Sequence, residues 1–196
     1  MPDTYHHGDL QAQALERAAA MVTRDGVEAF SLRRLATELG VSHTAPRHHF
    51  GSREGLLTAL AAQGYGLLGD ALAAAAPDGF AEVGAAYVEF ALTHPGHFAV
   101  MHAPGLVDGD DPDLRRASRR TAEQLTGGVA GTLTGDPEQV AVAAVAAWSL
   151  VHGIATLTLS GALDELSARS GENRHDLVVR AAHLLTPSPP RPEPSR

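Results

Sequence analysis

Imidazoles, aromatics and arginines carry most of the chemistry open to this chain, because its 196 residues include no cysteine and no lysine. Tyr87, Phe90, His94, His97, Phe98, Met101 and His102 fall within one short span, and Trp148 and His152 stand one helical turn apart further on. Apolar surface with a few polar groups is the make-up of a small-molecule pocket. The expected ligand-binding set is Tyr87, Phe90, His94, Phe98, Met101, Trp148 and His152, although the same residue types also fill ordinary cores. His94, His97 and His102 raise the question of a metal. Pro95 interrupts the first two and no carboxylate is an obvious fourth ligand, so neither a metal nor a cofactor is expected. Gly-x-Ser-x-Gly, a phosphate-binding glycine loop and His-Glu-x-x-His are all missing from the sequence, so an enzyme is not expected either. Asp110-Asp111 reads as solvated or capping.

A second constellation lies at residues 31–50, Ser-Leu-Arg-Arg-Leu-Ala-Thr-Glu-Leu-Gly-Val-Ser-His-Thr-Ala-Pro-Arg-His-His-Phe. Leu32, Leu35, Ala36 and Leu39 repeat at helical spacing behind Ser31, a plausible N-cap. Gly40 stops that helix, because glycine takes the left-handed conformation cheaply. Val41 turns inward and Ser42 is placed to cap a second, polar helix. A short polar helix held off the core by a glycine turn is the layout of a DNA-reading helix-turn-helix. His43, Thr44, Arg47 and His48 project from the second helix: arginine can fork onto guanine, and threonine can touch a thymine methyl. Ser31, Arg33 and Ser42 are placed to position the module on phosphates; for the two serines, pure capping serves equally well.

The elements that must position these residues are all helical, with no strand pattern and no internal repeat. A first helix runs from Gly8-Asp9 to about Arg24, with Leu10, Ala14, Ala18, Met21 and Val22 inward. After the helix-turn-helix, Ser52 caps a long helix to about Ala76, anchored by Leu56, Leu57 and Leu60. Pro77-Asp78-Gly79 breaks it. Further helices are expected at about 80–93, from Pro95, at about 113–133, at 137–160 and at about 172–185, with a Pro-rich disordered tail over 186–196. In the helix from about 113, Arg115, Arg116, Arg119 and Arg120 face outward and Arg119 can pair with Glu123. The helix 137–160 is apolar nearly all round. It is long enough to cross a bilayer, but it is Ala-rich, contains His152 and Gly153, and has no basic flank. Burial in a core or a subunit interface is the expectation. The net charge of −8 speaks against a chain that coats nucleic acid indiscriminately. The N-terminus shows no basic region followed by an apolar run, so the cytoplasm is the expected compartment.

Residues 5–60 resemble the DNA-binding domain of the TetR-type bacterial regulators. The likeness is carried by Tyr5-His6-His7-Gly8-Asp9-Leu10, Ser31-Leu32-Arg33-Arg34-Leu35-Ala36, Gly40-Val41-Ser42, His49-Phe50 and Ser52-Arg53-Glu54-Gly55-Leu56-Leu57. The rest, to about residue 185, is similar to the branch of that family with a Trp-x-x-x-His-Gly signature, here Trp148-Ser149-Leu150-Val151-His152-Gly153. Family members usually have Tyr where this chain has Arg47, and often Arg or Lys where it has His48. Gly55 replaces a better helix former, which softens the start of the fourth helix.

The resemblance implies an all-α homodimeric regulator that binds a double-stranded DNA operator, most simply a repressor released by a small-molecule effector. Residues 1–50 form the three-helix DNA-binding domain, and residues 51–185 a helical ligand-binding and dimerisation domain. The helices 137–160 and 172–185 then pack on their copies across a two-fold. The alternative is a ligand-binding or interaction bundle that has lost DNA binding.

Overall fold

A computed structural model describes residues 7–132 and 137–171, together with Asn173, Asp176, Arg180 and Ala181. The described chain is all-helical: α1 His7–Asp25, α2 Leu32–Leu39, α3 Ala45–Phe50, α4 Arg53–Ala75, α5 Phe80–Thr93, α6 Pro95–Met101, α7 Pro112–Thr132, α8 Pro137–Leu159 and α9 Asp164–Ser170, with a 3-10 turn at Ala76–Asp78. The expected helix over about 172–185 and the tail over 186–196 fall outside the described residues, apart from the four just named. The short helix α9 occupies what reads in the sequence as a polar stretch between Gly161 and Gly171.

Helices α1 to α3 form a small head and α4 to α8 a larger body, yet one continuous apolar core serves both. Ala14, Ala18, Met21, Val22, Phe30 and Leu35 are buried in the head, and Leu56, Leu57 and Leu60 of α4 carry the same cluster into the body. There α4 packs on α5, α6 and α7, while α8 lies across α5 and α7. The helix ends follow their local chemistry. Ser31 Oγ accepts from Arg34 N, Gly40 adopts φ 68°, and Ser52 Oγ accepts from Gly55 N.

Two expectations about local structure change. Ser42 does not cap α3: the helix begins at Ala45 with Thr44 at its N-cap position, and Ser42 Oγ instead meets Thr44 Oγ1 at 2.9 Å. Proline explains the shift. In a helix capped by Ser42, Pro46 would sit where the first intrahelical N–H is needed, and it has none to give. Starting the helix later places Pro46 in the first turn, where no N–H is required. Gly55, in turn, is a fitted residue and not a weak one: a Cβ there would lie 2.2 Å from the Phe50 carbonyl oxygen. The α3–α4 junction is packed against the bare backbone.

Both α4 and α8 are long and apolar enough to span a membrane by length and composition. Half of the apolar window of α4 is buried inside the chain, but only 11% of that of α8. Val142, Val145, Trp148, Leu157 and Leu159 of α8 are exposed, and a Cβ on Gly153 would meet nothing. Within one chain, therefore, Gly153 does not mediate any close approach of helices among the described residues.

Candidate functional site

The head separates its charges. Asp25 and Glu38 bind three arginines: Arg24 Nη2 lies 2.9 Å from each acid, Arg34 Nη2 2.5 Å from Asp25, and Arg17 Nη1 3.9 Å from Glu38. These bonds stitch α1 to α2. The hydrogen bonds from Arg24 and Arg34 hold the Asp25 carboxyl down at about 2. The guanidinium groups of Arg33 and Arg47 have neither a hydrogen bond nor an ion pair among the described residues. With Leu32, His43, Ser52 and Arg53 they wall an open groove of about 440 Å³ between α2, α3 and the start of α4. Ser42, His43, Thr44, Arg47 and His48 are exposed, and Ser31 is half-buried in its capping role. Asp25 and Glu38 are thus committed to Arg17, Arg24 and Arg34, while Arg33 and Arg47 stand at the groove beside α3.

Arg53 has a separate task. Its Nε donates to the Phe30 carbonyl at 3.0 Å and its Nη2 to the Val27 carbonyl at 2.7 Å. The guanidinium joins the α1–α2 loop to the first turn of α4, and Pro46 packs beneath α3 as a buried residue. Both features fix the angle at which α3 is presented.

The body contains a cavity of about 640 Å³ bounded by α4, α5, α7 and α8. Tyr65 and Leu68 come from α4, Tyr87 from α5, and His102 follows α6. Arg115, Ser118, Arg119, Thr121, Ala122, Leu125 and Thr126 form the α7 wall, and Ala141, Ala144, Val145 and Trp148 the α8 wall. At its inner end the Tyr87 hydroxyl stands 3.0 Å from His152 Nδ1 and 3.4 Å from His102 Nε2. The His102 and His152 rings meet edge to face at 4.5 Å, and Trp148 lies 5.7 Å from His152. Burial lowers both imidazoles, His102 to about 4 with help from His152, so both are neutral at pH 7. Burial pushes the Tyr87 hydroxyl up to about 12.

Of the residues expected to bind ligand, Tyr87 and Trp148 line this cavity, and His152 supports them through Tyr87. Phe90, Phe98 and Met101 lie in the apolar core and not on the cavity wall. Phe98 packs behind the inner polar group, 4.7 Å from the His102 ring and 5.4 Å from that of His152. His94 is likewise away from the wall, stacked on Phe90 at 5.0 Å, and His97 is buried against Gln63. No group of His, Asp or Glu among the described residues is arranged to hold a metal. Tyr65, His102, Arg115 and Arg119 are wall residues beyond the expected set. The signal for the last two was present: residues 115, 118, 119, 122, 125 and 126 share one helical face. The expected ion pair between Arg119 and Glu123 is not formed.

Comparison with known proteins places these features in a family. A model described as bacterial regulatory proteins of the tetR family matches residues 14–60, and one described as tetracyclin repressor-like, C-terminal domain, matches residues 80–182. An uncharacterised HTH-type transcriptional regulator of Mycobacterium tuberculosis is 28% identical over 180 residues, 86% of this chain and 78% of that protein. A Rhodococcus sp. RHA1 protein of unknown function is 35% identical, with a TM-score of 0.71 over 93% of this chain and 96% of its own. The TetR family transcriptional regulator PfmR of Thermus thermophilus is 27% identical, with a TM-score of 0.58 over 85% of this chain and 97% of its own.

Proposed function

The chain belongs to the TetR family of bacterial regulatory proteins, DNA-binding transcriptional regulators, and from that premise we propose that it is a homodimeric repressor released from its operator by a small molecule in the α4–α5–α7–α8 cavity. Residues 1–50 are the DNA-binding domain and residues 51–185 the ligand-binding and dimerisation domain. The observation that carries the DNA half of this reading is the groove at α3 walled by Arg33, His43 and Arg47. Arg33 and Arg47 have no partner among the described residues and stand beside His43, while Asp25 and Glu38 are bound to Arg17, Arg24 and Arg34. Arg47, His43, Thr44 and His48 then face the major groove, with Arg33, Ser31 and Ser42 toward phosphates.

Dimerisation supplies a partner for α8. A helix apolar on nearly every face, with most of that surface outside the fold, needs a second surface. Val142, Ala146, Ser149 and Gly153 follow one another along the side of α8 away from the cavity, and the open space at Gly153 lets a partner helix come close. The expected companion helix over about 172–185 completes a four-helix contact. Two recognition helices then enter successive major grooves about 34–36 Å apart. The Trp148–His152–Gly153 signature marks the chain's branch of the family: its first two members brace Tyr87 at the cavity, and its third faces the partner. A soluble DNA-binding dimer of this kind works in the cytoplasm.

The cavity and the head are joined by α4, which starts at Ser52 beside the groove and reaches the cavity with Tyr65 and Leu68. A ligand shifts the equilibrium only by binding one arrangement of α4 better than the other. A gel-shift titration with DNA from upstream of the chain's own gene tests the reading. The expected result is a shift that weakens steeply as salt rises. No salt-sensitive shift there, nor with fragments selected from the whole genome, overturns it in favour of a bundle without DNA binding.

A further inference from the structure

The cavity has one charged feature that its apolar walls do not account for. Of the four arginines on α7, Arg116 Nη1 lies 2.9 Å from Asp113, Arg120 Nη2 3.1 Å from Asp70, and Arg115 Nη1 3.4 Å from Asp110. Arg119 has no carboxylate partner among the described residues. It lines the cavity and also the shallow groove that adjoins it along α7, with Arg115, Arg116 and Arg120 and the acids Asp110 and Glu123. Among the described residues no acid lines the cavity, and its inner polar groups are uncharged: Tyr87, His102, Ser118 and Thr121. Thr121 Oγ1 is already committed to the Tyr65 and Ala117 carbonyls at 2.9 and 3.1 Å.

We propose that the effector is an amphipathic organic anion, its apolar body between Tyr65, Leu68, Leu125, Val145 and Trp148 and its carboxylate, sulfonate or phosphate held by Arg119 at the mouth. This rests on the reading of that cavity as the effector site. A guanidinium presents a planar fork matched to such oxyanions. A small inorganic anion gains nothing from the apolar walls, and a neutral molecule or a cation leaves Arg119 unused. The apolar walls and Arg119, the one arginine of the cavity without a carboxylate partner among the described residues, together select a ligand with both characters.

Trp148 is the only tryptophan in the chain and stands on the cavity wall, so it reports occupancy directly. The probes are 8-anilinonaphthalene-1-sulfonate and its uncharged parent N-phenyl-1-naphthylamine, followed by energy transfer from Trp148 in the full-length protein. The wild type is expected to bind the sulfonate more tightly than the parent. Arg119→Gln is expected to weaken the sulfonate at least tenfold and to leave the parent within twofold. Arg119→Lys, which keeps the charge but loses the fork, falls between. Arg169→Gln, whose partner is Glu165 and which lines neither the cavity nor the groove, leaves both probes unchanged. Equal sulfonate affinity in the wild type and Arg119→Gln overturns the proposal and leaves the cavity as the effector site. If neither probe receives energy from Trp148, both the proposal and the effector-site reading fall.

Discussion

Replacing Arg53 with alanine tests whether the head is set on the body by a side-chain clamp. The change removes two hydrogen bonds from a charged donor, to the carbonyls of Phe30 and Val27 at 3.0 and 2.7 Å. Such bonds are worth about 1.5–3 kcal/mol each, and the half-buried setting lets water recover part of that, so a net loss of about 2–4 kcal/mol is expected. For a chain of this size, that lowers the melting temperature by roughly 5–12 °C. Urea and thermal unfolding followed by far-ultraviolet circular dichroism measure it. Arg53→Lys should recover part of the loss, because a single ammonium reaches one carbonyl well and not both. Arg33→Ala is the matched comparison. Arg33 walls the same groove but its guanidinium has no partner among the described residues, so its removal should leave stability within about 0.5 kcal/mol while weakening DNA binding. If Arg53→Ala melts with the wild type and only DNA affinity falls, Arg53 is a phosphate contact and the clamp argument fails.

Arg47→Ala should relax base preference at one operator position with little change in salt slope; a uniform loss across DNA sequences with a slope smaller by about 0.9 would move Arg47 to a phosphate. Val142→Glu places a charge on an exposed part of α8, so it should leave helix content intact while converting the dimer to monomer in light scattering; a dimer that persists would remove α8 from the interface. Acid should destabilise the body before it protonates surface carboxylates. His97 and His102 are held down at about 4, in each case first by burial and then by a neighbouring imidazole, His94 and His152 respectively. In the unfolded chain they take protons near the ordinary 6.5. Their contribution is therefore full above about pH 6.5 and is lost as pH falls toward 4, by about 2 kcal/mol per imidazole at pH 5. The urea midpoint should drop between pH 7 and pH 5, with His97→Gln removing about half of the drop; equal midpoints would refute it.

Much of the fold is legible in the residues because local chemistry decides it. Ser31, Gly40, Ser52 and Pro95 mark helix ends where the structure has them, and the leucines of α2 and α4 bury as their spacing requires. The start of α3 was not legible from capping preference alone, since the missing N–H of Pro46 outweighs the hydroxyl of Ser42. The basic face was hidden for a different reason. A charge count treats Asp25 and Glu38 as neighbours of every arginine, whereas the fold spends them on Arg17, Arg24 and Arg34. At the cavity, residue type identified Tyr87 and Trp148 but could not separate them from Phe90, Phe98 and Met101. Which aromatic faces a void and which fills the core depends on how α5 and α6 meet α4, a relation between helices far apart in sequence.

Those same helices meet the head at a second place, and the contact is unusually close. Gly96 of α6 lies against α1 so tightly that a Cβ would sit 2.2 Å from the Ala19 carbonyl oxygen and 2.8 Å from Thr23 Oγ1. The first neighbour is helix backbone and cannot turn aside, so Gly96→Ala must move α6 away from α1. At Gly64 of α4 the nearest atom to a Cβ is Met101 Sδ at 2.6 Å, the flexible part of a side chain that can rotate. Gly96→Ala should therefore cost more than Gly64→Ala, by about the 1–3 kcal/mol typical of overpacking. The consequence for function follows from position, because α6 touches α1 at Gly96 and is followed by His102 at the cavity. Together with α4 it gives the cavity two mechanical connections to the head. Displacing α6 should change operator affinity even though Gly96 is far from the groove, and should leave probe transfer from Trp148 nearly intact. If Gly96→Ala melts and binds operator as the wild type does, α6 is packing alone, and α4 is the only connection from cavity to head.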